Sequence, residues 1–259
     1  MVAYFLFKLG CCSHLNAINF TISCKKWLQI AFRVGILEPN RLGFHPYLYS
    51  HSLTMPDQLI QGNAGTLQVR PLWQESDAIA VICHPHSLMG GTMDNKVVTT
   101  LARFFRNQGI SVVQFNFRGV GGSTGVYADG LGEIDDFFSV LNWAAGETTA
   151  RRLYVAGFSF GGYIAAAGCD RLLQDNPHQF ELEKLYLLAP AVENFPMATL
   201  SLPSDTCVIV GAEDEVVPPQ KMINWANERQ FDLAVIPECS HFFHGHLPEI
   251  GSQLEHRFP

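Results

Sequence analysis

The 259-residue chain contains no apolar run approaching the ~20 residues that a membrane-crossing helix requires. It has no Lys/Arg cluster either, and its 17 basic side chains are outnumbered by 24 acidic ones, for a net charge of −7. A nucleic-acid surface needs the opposite balance, so no nucleic acid is expected as a partner. Seven cysteines are present (Cys11, Cys12, Cys24, Cys83, Cys169, Cys207 and Cys239). Their number is odd and none has C-x-x-C spacing, which argues against a disulfide framework and for reduced thiols in a cytoplasmic protein. Charge is scarce, at 16% of residues against 47% hydrophobic, and this balance belongs to one globular domain with a large core. Internal repeats and low-complexity segments are absent, and the sequence carries no signal of oligomeric state.

One composition shift divides the chain. Residues 1–54 hold Lys8, Lys25, Lys26, Arg33 and Arg41 against the single acid Glu38, for +4, so the remainder carries −11. The apolar patch at 2–7 is short for a secretory signal and has no charge ahead of it. Scarcity of acids is shared with organelle transit peptides, yet Ser and Arg are not abundant there. The preferred expectation is an N-terminal extension over 1–54 with Met55 as the functional start, followed by one domain over 55–259.

From Met55 the pattern becomes regular. Residues 66–70 alternate, as a half-exposed strand does. Ala78–Cys83 is continuously apolar, as expected of a strand covered on both faces. Val97, Val98, Leu101, Phe104 and Phe105 mark one face of a helix that Gly109 stops. A strand is predicted over 110–116 and a helix over 131–145, with Ile134, Phe137, Phe138, Leu141 and Trp143 or Ala144 inward. Further strands are predicted over 153–156, 185–189, 206–211 and 232–237, and a helix over Pro219–Glu228. Strands alternating with helices at this spacing imply a mostly parallel, doubly wound sheet with helices on both faces. Ligands of such sheets bind beyond the carboxyl ends of the strands.

The stretch at 153–164, LYVAGFSFGGYI, is the centre of the chain. An apolar strand breaks into Gly157-Phe158-Ser159-Phe160-Gly161 and runs on into small residues suited to a helix, which is the setting in which G-x-S-x-G describes a nucleophile elbow. A serine hydroxyl is a weak nucleophile at neutral pH and needs a base, usually a histidine oriented by a carboxylate. The chain order Ser159, Asp214, His241 provides one, and both partners directly follow predicted strands. Glu213 and Glu215 compete with Asp214 for the acid's place, with Glu193 a remoter candidate; Asp214 is preferred for its position in the turn GAEDEVV. His241 is preferred over His244 and His246 because it follows the strand-end turn and precedes Phe242. An oxyanion hole would take the backbone N–H of Phe160 and one from the loop His84-Pro85-His86-Ser87, with His86 first and Ser87 second. His84 is expected to brace that loop and Arg118 to anchor its own glycine-rich one.

The blocks CHPHSLMGGTMDNKVV, FNFRGVGGSTG, AGFSFGG, GAEDEVVPP and SHFFHG occur in this order between Cys83 and Gly245, in the part of the chain that begins at Met55. Together they resemble the small, lidless bacterial α/β-hydrolases related to dienelactone hydrolases and serine-aminopeptidase-like esterases. Ser87, where such proteins often carry a second proline, departs from the pattern, and residues 1–54 have no counterpart in it. The resemblance implies the α/β-hydrolase fold without a large cap domain, since 190–205 is short. It also implies a serine esterase that forms an acyl-enzyme on Ser159 with no metal or organic cofactor, acting on a small ester, thioester or lactone, with peptide bonds less favoured. Phe195, Met197, Leu200 and Leu202 are then candidates for an acyl groove or for plain packing.

Two other readings compete. His84-x-His86 with His241-x-x-His244-x-His246 has the look of a metal-ligand set, although no acid completes the H-x-H-x-D-H spacing. A non-catalytic binding module on the same fold is the other, against which stands the presence of all three triad residue types.

Overall fold

The computed structural model describes residues 53–54, 56–174 and 178–259. The expected extension over 1–54 therefore lies outside the described residues, except for a two-residue strand, β1 (Leu53–Thr54). It pairs with the start of the sheet just ahead of Met55, through Leu53 opposite Trp73.

Eight further strands follow: β2 (Gln58–Gly62), β3 (Gly65–Trp73), β4 (Ala78–Cys83), β5 (Ser111–Phe115), β6 (Arg152–Phe158), β7 (Glu181–Leu188), β8 (Cys207–Gly211) and β9 (Asp232–Ile236). They form one sheet in the order β1-β3-β5-β4-β6-β7-β8-β9, with β2 also on β3. From β5 across to β9 every pairing is parallel, while β3 runs antiparallel to β5 and both β1 and β2 antiparallel to β3. The antiparallel end is where alternation was legible: β3 buries Leu67 and Val69 and leaves the residues between them half exposed. The parallel centre reads as unbroken apolar runs because both its faces are covered; every residue of β4 is buried.

Among the described residues five helices cover the sheet: α1 (Lys96–Asn107), α2 (Leu131–Glu147), α3 (Phe160–Gln174), α4 (Pro219–Glu228) and α5 (Leu247–Arg257). Helix α1 packs over β4, β5 and β6 and against α5, which lies on β8 and β9, and α2 packs with α3 on the opposite face. In α1 the predicted apolar face is the buried one, capped at its start by the Asn95 side chain, which accepts from the Val97 N–H. Helix α3 opens with Phe160, Gly161 and Gly162 and continues through alanines, all buried, so it sits close against the sheet. Between β7 and β8 the chain makes only a short 3-10 turn, Met197–Thr199, so no cap domain is inserted.

In helix α2 Phe137, Leu141 and Ala144 are buried as predicted, and Ile134, Phe138 and Trp143 are half-buried against the core; Glu133 and Asp136 are also fully buried, in the same stripe as Val140. Buried carboxylates are costly unless paired, and both are paired with the loop that follows β5. Asp136 accepts from the Arg118 backbone N–H at 2.9 Å and from its guanidinium at 2.8 to 3.1 Å. Glu133 accepts from the N–H groups of Ala128 and Gly130. Arg118 thus anchors its glycine-rich loop, as expected.

Candidate active site

Strand β6 and helix α3 meet at Ser159. Its φ of +55° lies in the left-handed region, rare for a residue with a Cβ, and such a backbone persists only where its surroundings enforce it. Enforcement comes from Ser159 N–H donating to Leu188 O at 2.9 Å and from the two flanking glycines. A Cβ on Gly157 would stand 2.1 Å from Gly161 O, and one on Gly161 would stand 2.3 Å from Cys83 O. The turn is sharp because both places are closed to any side chain.

Beyond the ends of β8 and β9 lie the two partners predicted for this serine, and the fold brings all three together. Ser159 Oγ is 3.0 Å from His241 Nε2, and His241 Nδ1 is 2.7 Å from Asp214 Oδ2. Asp214 is held by its own loop, its Oδ1 accepting from the N–H groups of Val216 and Val217 at 2.9 and 2.8 Å. His241 is almost wholly buried, with its ring against Phe158 and Phe242. Two of the competing acids are engaged elsewhere, and Glu213 is exposed. Glu215 accepts from the His241 backbone N–H at 3.0 Å, and Glu193 pairs with Lys221. Glu215 is a contact that the sequence pattern missed, because a carboxylate gripping a main-chain N–H has no spacing signature.

The loop after β4 faces the start of α3. His86 packs its ring 4.9 Å from the rings of both Phe160 and Tyr127, and its Nδ1 accepts from Leu88 N–H. Among the described residues, no protein acceptor takes the N–H of Phe160, His86 or Ser87. His84 is fully buried, and both ring nitrogens are engaged: Nδ1 with Pro85 O at 2.6 Å and Nε2 as acceptor from Phe117 N–H at 3.0 Å. Burial holds its pKa down at about 4, so the ring is neutral and fastens two loops together. Phe195 packs on Phe160 and Tyr163, whereas Met197 is fully buried in the core. Concavities of about 240 and 200 Å³ are lined by residues from elsewhere, and neither includes Ser159, Asp214 or His241.

The metal-ligand pattern fares differently. His84 and His241 each have both ring nitrogens committed to protein partners. No group of three or more His, Cys, Asp or Glu among the described residues is placed to hold an ion. Burial pushes Cys239 up to about 11 and Cys83 well above the ordinary thiol range, so neither thiol is ionised near neutral pH.

A sharp strand-to-helix turn bearing a serine, on a mostly parallel sheet with no inserted cap, defines the α/β-hydrolase class. A family model for serine aminopeptidase, S33, matches residues 74–203, about half of the chain, and the chain belongs to this family of α/β serine hydrolases. The match includes Ser159 and stops before Asp214 and His241. An α/β serine hydrolase homologue from Coxiella burnetii is 38% identical, with a TM-score of 0.73 over 81% of this chain and 100% of that one. A serine hydrolase from Xanthomonas campestris, described as having no lid, is 35% identical, with a TM-score of 0.72 over 80% of this chain and 94% of that one. An uncharacterized protein of Rickettsia prowazekii is 30% identical over 203 residues, 73% of this chain and 82% of its own length.

Proposed function

We propose that this hydrolase cleaves a carboxylic ester, thioester or lactone of a small substrate through an acyl-enzyme on Ser159. The observation that carries the reading is the unbroken hydrogen-bonded chain from Ser159 Oγ through His241 to Asp214. His241 Nε2 takes the hydroxyl proton as Oγ attacks the carbonyl, and Asp214 fixes the tautomer and steadies the imidazolium. The tetrahedral oxyanion is received by the N–H of Phe160 and by that of His86 or Ser87, each such donor being worth about 2.7–4 kcal/mol. Collapse expels the leaving group, protonated by His241, and the same imidazole then activates water to release the acid.

The substrate is a small molecule, and no residue in this scheme calls for a metal or an organic cofactor. A cytoplasmic location is part of the proposal, supported by the four described cysteines, Cys83, Cys169, Cys207 and Cys239, all unpaired.

Hydrolysis of short p-nitrophenyl esters, with and without chelator, tests it together with labelling by a fluorophosphonate. The expected result is chelator-insensitive activity, a label on Ser159, and loss on the order of 10⁴-fold or more in Ser159→Ala. A loss below tenfold in a folded variant overturns the assignment.

A further inference from the structure

Nine large hydrophobic side chains are exposed among the described residues, and their distribution is uneven. Leu88, Met89, Val126, Leu131, Val216 and Phe242, between 41% and 84% exposed, all follow the carboxyl ends of strands; Leu59, Leu173 and Val235 are the others. Each of the six sits beside a group already placed at the site. Leu88 and Met89 follow His86, whose ring packs on Phe160, and Val126 precedes Tyr127, which packs on both. Leu131 follows Gly130, whose Cα faces Tyr163 and Phe195 so closely that a Cβ would stand 2.7 Å from the tyrosine ring. Val216 donates its N–H to Asp214, and Phe242 packs edge-on against His241.

Resting on the reading of Ser159 as the nucleophile, we propose that these side chains form an apolar collar that seats the enzyme on the surface of an aggregated, electrically neutral amphiphile carrying the scissile ester. A partner protein bound over the collar would shut the serine off from its substrate. A surface made of the substrate itself covers the same side chains and delivers the bond. The collar residues are aliphatic apart from one phenylalanine, without the Trp, Tyr or Arg anchors that dominate protein–protein hot spots. Charge selects the neutral surface. The loops over 84–95, 116–130, 212–218 and 237–246 hold one Lys or Arg, namely Arg118, and it is buried against Asp136. Asp129, Glu213, Glu215 and Glu238 stand exposed on those loops, while Asp94 is paired with Arg70, so an anionic surface is repelled. Interfacial binding of this kind strengthens with the apolar area inserted.

The experiment measures co-sedimentation of the full chain with phosphatidylcholine vesicles and with phosphatidylglycerol vesicles. It also measures hydrolysis of tributyrin below and above its solubility limit. Wild type and Ser159→Ala are expected to bind phosphatidylcholine equally and phosphatidylglycerol more weakly, and the wild-type rate is expected to rise when the emulsion forms. The triple variant Leu88→Ser, Met89→Ser, Val126→Ser should lose vesicle binding on the order of tenfold and lose the rise, whereas Leu173→Ser, at the end of α3 remote from Ser159, keeps both. Absence of binding, tighter binding to phosphatidylglycerol, unchanged binding by the triple variant, or a solution dimer that the triple variant abolishes would each overturn the collar. The chemistry at Ser159 is judged separately, by p-nitrophenyl acetate hydrolysis, so the two readings fail on different measurements.

Discussion

The two edges of the sheet are built from the same strands but obey different rules. At the carboxyl edge the backbone is strained: of six non-glycine residues with positive φ among those described, Asp129, Ser159, Ala189, Glu238 and Phe243 lie there, and Gln230 lies elsewhere. His84, Arg118, Glu133, Asp136, Asp214 and His241 are buried at that edge, most of them with two or more hydrogen bonds. The amino edge is ordinary, with turns closed by main-chain bonds such as Arg151 and Arg152 N–H to Asp77 O and with its charges in solvent-facing pairs such as Arg152–Asp77. Strain and buried polarity gather where a reaction has to be held, and the other edge supplies only stability.

The largest effect that would sharpen this contrast is chemical. Asp214→Asn is expected to lower kcat on the order of 10⁴-fold by disturbing the His241 tautomer, while Glu213→Gln, one residue away, changes it little; steady-state ester hydrolysis reads both. Next comes stability. Asp136→Ala strands the buried Arg118 guanidinium and should cost about 3–5 kcal/mol in urea unfolding. Asp77→Ala at the opposite edge breaks an exposed pair with Arg152 and should cost less than about 1 kcal/mol. Equal losses would erase the distinction.

The third effect depends on pH. The folded pKa of His84, about 4, lies below the ordinary histidine value near 6.5, so between those limits the unfolded chain binds the extra proton. Stability from this group is complete above about pH 6.5 and is lost as pH falls to 4, a drop on the order of 3 kcal/mol. Melts of wild type against His84→Gln across that window should show the variant's slope reduced. Smallest is Glu215→Gln, which keeps an acceptor for the His241 N–H and should change kcat less than tenfold. Glu215→Ala removes the acceptor and should fall further, with its deficit in kcat rather than KM.

Most of the sheet and the three central side chains were legible before any coordinates, for identifiable reasons. Buried parallel strands leave continuous apolar runs, and a glycine-flanked serine between a strand and a small-residue helix has few other uses. What escaped was set by distant partners. Asp136 and Glu133 are missing from the inward face predicted for α2, because nothing local shows that Arg118 and the amides of Ala128 and Gly130 await them. The same holds for α5, whose Ile250 and Leu254 are too sparse to announce a buried face. Strand β2 escaped because it forms part of an edge that is half polar.

The placement of the acid and the base has a consequence for durability. Ser159 is moored at the middle of the sheet, between β4 and β7, but His241 and Asp214 hang from the ends of β9, the outermost strand, and of its neighbour β8. Border strands fray at lower cost than interior ones. Mild urea should therefore silence turnover while circular dichroism still reports an intact fold, and dilution should restore it: the proposed triad comes apart before the fold does.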